Sequence, residues 1–220
     1  MIAQLLDSRI ERVTHRPLKE IGSRLFERVI RQHWEAFGMR KDLTVQCRTP
    51  KATIPLIVRT MEESDWNLIY DKGYDRPPAE QEILDICQEL IKAGVQTPYV
   101  AADALNNHPC FFQWLMRPEQ NDEIQRTFNA RFPRLREDQA LLEYAYTVPR
   151  YRRMGIMAAG MALIADQARE FGAKEAIMFV PSKKDSSLRS CKKAGFAPYL
   201  VRREAKYLFR IIKTKRFDPI

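Results

Sequence analysis

Residues 143–171 constrain the fold of this chain more than any other stretch. The segment opens as a strand at Glu143, passes through a tight basic loop with a single glycine, Gly155, and continues as a helix without proline as far as Phe171. A strand that feeds a helix through a tight loop leaves backbone N–H groups unpaired at the helix start. Those groups, together with the helix dipole, favour an anion such as a phosphate. Arg150, Arg152 and Arg153 put fixed positive charge around the same spot. The physical reading is a pyrophosphate cradle. No GxGxxG or GxxxxGK[ST] run is present, so the dinucleotide-fingerprint and P-loop readings fail at the level of residues.

The run Arg152-Arg153-Met154-Gly155-Ile156-Met157 resembles the acyl-CoA loop of the GNAT superfamily of N-acyltransferases, whose pattern is Arg/Gln-x-x-Gly-x-Gly/Ala. The lead-in from Thr147 through Val148, Pro149, Arg150 and Tyr151 is similar to the family's Val-x-Pro-x-Tyr-Arg. A second match lies at the correct distance. Residues 184–196, ending in Gly195 and Phe196, resemble the family's later helix, with its pattern Asn-x-x-Ala-x-x-x-Tyr-x-x-x-Gly-Phe. An apolar run of strand length, residues 174–180, lies between the two. The resemblance is clear over residues 140–209, extends back to Ile54 and is absent before it. It implies an α/β (α+β) fold, a mixed and mostly antiparallel central sheet flanked by helices. Residues 1–50 would form an extra N-terminal helical segment and residues 51–220 the acyltransferase domain.

A chain of 220 residues, 45% of them hydrophobic, can bury one sizeable core. No apolar run approaches the ~18 residues needed to span a bilayer, and the start of the chain is too soon charged for a secretory signal. Cys47, Cys87, Cys110 and Cys191 lie far apart without CxxC spacing, and there are only three histidines, so no metal site is expected. Free thiols in a reducing, cytoplasmic setting are the simplest account. The net charge of +9 suits a polyanionic ligand such as coenzyme A, and an acidic acyl carrier protein would fit the same field. The signatures of nucleic-acid binding are missing, so charge alone supports that partner weakly.

Helical spacing of Ile21, Leu25, Phe26, Val29, Ile30, Trp34 and Phe37 predicts a helix over residues 19–37, with Gly38 as its stop. Residues 54–60 read as the first core strand, 62–70 as a short helix and 79–93 as a longer one opened by Pro77 and Pro78. Residues 99–102 and 110–116 read as paired strands, with an inserted helix centred on residues 122–132. Two strands, 197–203 and 205–212, would close the sheet, and the tail after residue 212 would fray.

The resemblance implies acetyl transfer from acetyl-CoA to a primary amine, with no covalent enzyme intermediate and no metal. Backbone groups of Ala145, Tyr146 and Thr147, beside a bulge, would hold the thioester carbonyl. Arg150, Arg152, Arg153, Met154, Gly155, Ile156 and Met157 would hold the pyrophosphate, with Met157 departing from the family's small residue. Lys184 stands at the family's asparagine and could reach phosphate or water, while Ser187 follows it on the same helix. Glu143 takes a position where many members carry an acid; it would serve as base or simply pair with Arg117 or Arg210. Counting back from Gly195 and Phe196 puts Cys191 where the family has the tyrosine that protonates the leaving thiolate. Ser187, Ser190, Tyr151 and Tyr199 are the substitutes, and a plain helix-face cysteine is the other reading of Cys191. The partners implied are a CoA thioester and an amine acceptor. A long-chain acyltransferase fed by acyl-CoA or an acyl carrier protein, a non-catalytic CoA-binding module, and a homodimer also fit the resemblance.

Overall fold

The computed structural model describes residues 31–70, 74–94, 98–207 and 212–220. The chain divides into two compact units. One is Ala36–Leu200 with Pro219–Ile220, and the other is Met1–Glu35 with Val201–Asp218. The elements run β1 (Arg31–Asp42), β2 (Leu56–Thr60), α1 (Glu63–Ile69), α2 (Pro78–Lys92), β3 (Tyr99–Asp103), β4 (Pro109–Met116), α3 (Asn121–Thr127), β5 (Gln139–Thr147), α4 (Ile156–Gln167), β6 (Glu175–Pro181), α5 (Asp185–Lys193), β7 (Ala197–Tyr207) and β8 (Ile212–Pro219). The fold is mixed α/β, an eight-stranded sheet in the order β2-β3-β4-β5-β6-β1-β7-β8. From β2 to β5 neighbours run antiparallel, β5 and β6 run parallel, and β6 and β1 antiparallel again. No helix among the described residues is long and apolar enough to cross a membrane.

The core forms around β4, where all eight residues are buried. Side chains alternate along a strand, so Phe111 meets α4 while Phe112 and Trp114 enter an aromatic cluster with Trp66, Tyr144 and Tyr146. Helix α4 is almost entirely apolar, rich in alanine and buried over most of its length. Small side chains let it lie close to the sheet. A Cβ on Gly160 would meet the Phe111 ring at 2.6 Å. Pro78 in the first turn of α2 is placed where its missing N–H is not needed, and Leu84 and Cys87 bury that helix's inner face.

Three expectations change. From Arg31 onward the predicted N-terminal helix is strand, and its earlier part, residues 19–30, lies outside the described residues. Gly38, read as a helix stop, pairs with Phe179 in mid-strand. The alternation that marks this strand is Met39, Lys41 and Leu43, each 2% exposed or less, against exposed Arg40 and Asp42. Lys41 disguised it. Its ammonium is buried and donates to Asp166 Oδ1 at 3.0 Å and the Ala162 carbonyl at 3.4 Å, which satisfies a charge that the sequence assigns to solvent. At the other end β7 runs unbroken to Tyr207, and the tail expected to fray is strand β8.

Candidate active site

The site begins where two parallel strands part. β5 pairs with β6 only from Gln139 to Leu142, so residues 143–147 continue without that neighbour. On the other edge of β5 the register slips, with Phe112 opposite Tyr146 and Trp114 opposite Glu143. The extra residue is a β-bulge, and Tyr144 takes a left-handed φ of 53° within it. The bulge falls just before the predicted 145–147 stretch. The Thr147 hydroxyl at the strand's end is buried and has no protein hydrogen-bond partner.

Beyond Thr147 a 3-10 turn, Pro149–Tyr151, leads into the loop. Arg153 and Gly155 both adopt left-handed conformations, at φ 66° and 75°. Gly155 is the N-cap of α4. Here glycine is required twice over, because the backbone has positive φ and a Cβ would meet the Lys51 carbonyl oxygen at 2.6 Å. The preceding Met154 carbonyl accepts from the Thr53 N–H at 3.0 Å. The segment around residues 51–53 thus clamps the loop from behind and leaves the first-turn amides of α4 facing the cleft, without intrahelical partners.

These elements border a cavity of about 760 Å³. Ala145, Tyr146 and Thr147 line it from β5; Arg152, Arg153, Gly155, Ile156 and Met157 line it from the loop and α4; Lys184 and Ser187 line it from the start of α5. All of these were expected. Residues without a sequence signal complete the wall: Pro77, Ala79, Glu80 and Ile83 on and just before α2, and Ser186 and Lys193 on α5. An acidic residue in the first turn of a helix carries no mark of the distant loop it faces, so Glu80 could not be selected from sequence. Lys193, nine residues beyond Lys184, was available to a reading of the exposed α5 face. Among the described residues no group of three His, Cys, Asp or Glu side chains is placed to hold a metal ion.

Four expected residues lie elsewhere. Cys191 is fully buried, with Sγ 3.3 Å from the Met178 sulfur and 3.8 Å from that of Met161. It packs into the core from α5 together with Leu188 and Ala194, whereas Ser186, Ser187, Ser190 and Lys193 of the same helix line the cavity. Burial, with the Glu143 charge adding, pushes its thiol up to about 12. A thiol so placed is no proton donor to a ligand in the cavity. Glu143 is half-buried opposite Trp114 and does not line the cavity either, because it precedes the bulge that turns the later residues toward it. Met154 packs on the core. Arg150 stacks over the Tyr151 ring at 4.9 Å and borders a separate cavity of about 250 Å³ with Leu68, Ile69, Tyr74 and Arg76. Among the substitute acids, Tyr151, Ser187 and Ser190 reach the cavity, whereas Tyr199 lies under the Arg40 guanidinium away from it.

The cavity is basic, with Arg152, Arg153, Lys184 and Lys193 on its wall against one carboxylate among the described residues, Glu80. Glu80 Oε1 accepts from the Arg152 guanidinium at 2.7 Å and from the Tyr146 hydroxyl at 2.7 Å. Arg152 Nε donates to the Thr147 carbonyl at 3.2 Å, and the guanidinium lies 5.7 Å from the Tyr146 ring centre. Burial alone would raise the Glu80 carboxyl. The hydrogen bonds from Arg152 and Tyr146, and the Arg152 charge, outweigh it and hold the group below the usual carboxylate range. Burial, then the bond to Glu80, pushes the Tyr146 hydroxyl up to about 12.

Solved structures share this architecture. A glucosamine N-acetyltransferase region of a fungal multi-domain β-N-acetylglucosaminidase superposes with a TM-score of 0.58 at 13% identity, over 86% of this chain and 23% of the fungal one. A Drosophila protein gives 0.52 at 14% identity over 87% of this chain. A Staphylococcus epidermidis protein of unknown function gives 0.50 at 11% identity, over 86% and 67% of the two chains. This chain spans 57% of the Drosophila protein. No curated protein matches the sequence. At these identities the likeness speaks for the fold alone, but the sequence model described as the acetyltransferase (GNAT) family matches residues 80–196, more than half of the chain and the whole span from Glu80 through the loop to Phe196. The chain belongs to the GNAT acetyltransferase family.

Proposed function

We propose that this protein is an N-acyltransferase that moves an acetyl group from acetyl-CoA to a primary amine by direct attack, both substrates being held together. The observation that carries the reading is the parting of β5 from β6 at a bulge, beside a glycine-capped helix start, inside a cavity with four cationic side chains. A CoA pyrophosphate fits that arrangement. Gly155 leaves the backbone open where any Cβ would strike Lys51, and Lys184, Lys193 and Arg153 supply charge. The Thr147 hydroxyl is a buried polar group in need of a partner beside the place where the family resemblance puts the thioester. The bound thioester supplies the activated acyl group; the chain's part is to orient it and exclude water. Without Cys191 as an acid, proton delivery to the departing thiolate would fall to Tyr151, Ser187 or solvent at the cavity mouth. A cytoplasmic location belongs to the same proposal, as the simplest account of four cysteines without CxxC spacing.

A second reading keeps the fold and lengthens the acyl chain. Pro77, Ala79 and Ile83 make an apolar wall, and Ile83 and the adjacent Ile86 are 39% and 40% exposed. Calorimetric titration with acetyl-CoA, free CoA and a long-chain acyl-CoA separates the two. Micromolar binding with acetyl-CoA preferred supports the first. Preference for the long chain moves the donor to lipid-type acyl groups, with an acyl carrier protein as the next ligand to test. Absence of binding to all three rejects both.

A further inference from the structure

Arg152 was expected to stand ready for phosphate, yet its guanidinium is engaged. It is bound by Glu80 at one end and by the Thr147 carbonyl at the other, with the ion pair on the cavity wall. The two members of the ion pair come from separate elements, Glu80 from α2 and Arg152 from the end of the turn that leads into the loop. The pair is accessible, with Arg152 40% and Glu80 16% exposed, so an incoming anion can compete for it. We propose that Glu80 is an internal counter-ion that occupies Arg152 in the free protein and yields it to the donor's phosphate, so that donor binding releases a carboxylate into the cavity. The proposal rests on the acyl-CoA reading above. Glu80 is a positioning residue in it, acting on the donor through Arg152.

Two consequences follow. The Glu80–Arg152 pair opposes donor binding, because part of the Arg152–phosphate attraction replaces an existing one. Release also changes the proton affinity of Glu80. In the free protein it faces Arg152 and Tyr146 directly, with the Arg76 charge also acting on it. Arg153, Lys184 and Lys193 line the same cavity. Loss of Arg152 to an anion removes its largest stabilising partner and sets a negative neighbour beside it. Near the lower edge of the carboxylate range, donor binding should therefore take up a proton at Glu80. With the free carboxylate standing in the cavity, a cationic amine gains an anionic contact only after the donor has bound.

The test is calorimetric titration of CoA into the wild-type protein and Glu80→Gln, at about pH 5 and pH 7, in buffers of different ionisation enthalpy. A neutral amide at position 80 keeps the shape and an acceptor for Tyr146 while removing the charge that holds Arg152. The expected result is about fivefold tighter CoA binding by the variant, and proton uptake at pH 5 that is present in wild type and missing in Glu80→Gln. The wild-type proton uptake is measured on the native protein, so it tests the exchange even where the variant folds poorly. Equal or weaker CoA binding by a folded variant, with proton uptake unchanged, makes Glu80 a static tie and overturns the inference. No CoA binding by wild type is a separate failure, that of the donor reading itself.

Discussion

The cavity has two walls built on different principles. The β5–α4 wall is made by backbone: a bulge, two left-handed residues and the bare amides of a helix start. The α2–α5 wall is made by side chains, with Glu80 and Ile83 on one helix and Ser187, Ser190 and Lys193 on the other. The first wall depends on whether the chain can adopt one conformation, so its response to substitution should be close to all-or-none. The second depends on summed charge and contact, so its response should be graded.

Gly155 offers the harshest way to break that comparison. Gly155→Val places a β-branched side chain at φ 75° and against the Lys51 carbonyl, a backbone atom that cannot rotate away. The strain and the clash together should cost about 3–5 kcal/mol of stability and remove CoA binding. Denaturant unfolding and calorimetry measure the two. A variant that keeps both stability and CoA affinity would show that the loop does not need this backbone shape.

Next comes Cys191, a core-packed residue of α5, the helix whose serines and Lys193 line the cavity. Cys191→Ser puts a hydroxyl between the Met161 and Met178 sulfurs, where nothing in the apolar surround satisfies it. A loss of about 1–3 kcal/mol in unfolding free energy is expected, with CoA affinity in the folded protein and the pH profile of turnover unchanged. A pH profile that moves in the serine variant would return Cys191 to the chemistry.

How much of this was legible in the sequence depends on how local each feature is. Gly155 and Pro149 announce the strand–loop–helix junction, because a tight turn needs its residues within a few positions of one another. The two motifs in register brought Lys184 and Ser187 to the same cavity as Arg152. Motif counting left two readings of Cys191 open, an acid or a plain helix-face cysteine, since alignment to a pattern fixes the residue number and not its packing. Leu188, Cys191 and Ala194 all pack into the core. Strand β1 was hidden by a single buried lysine whose partner Asp166 lies 125 residues away. Glu80 was hidden for a similar reason, as its two partners sit more than sixty positions along the chain. Long-range pairing of charge is the part a single sequence does not display.

Lys193 sharpens the graded half of the comparison. It adds charge to the α5 side of the cavity, in the last turn of that helix, without being bound into the backbone wall. Lys193→Ala should weaken CoA binding about three- to tenfold at low salt, the size expected for one partly exposed charge against phosphate. The difference from wild type should shrink as salt rises. Loss of all binding would mean that the α5 wall is as indispensable as the backbone one.

The smallest effect is expected at the point where the strands of the cavity are joined before they part. The Glu175 carboxylate, at the start of β6, accepts from Arg136 at 2.6 Å and Gln139 at 3.0 Å, with Arg40 of β1 at 3.2 Å. Burial would raise its pKa, but these bonds and charges outweigh burial and hold it below the usual carboxylate range. A carboxylate with a depressed folded pKa stabilises the fold above its unfolded pKa and loses that contribution as pH falls through the folded one. Both arginines are about half exposed, so solvent screening limits the contribution to about 0.5–1 kcal/mol. Glu175→Gln should therefore be less stable than wild type by that amount at pH 7, and the gap should close as pH drops below about 4. Unfolding curves for the pair across pH 3–7 measure it. A gap that persists in acid would mean that Glu175 acts through packing rather than charge, and that the parting of β5 from β6 is set by the bulge alone.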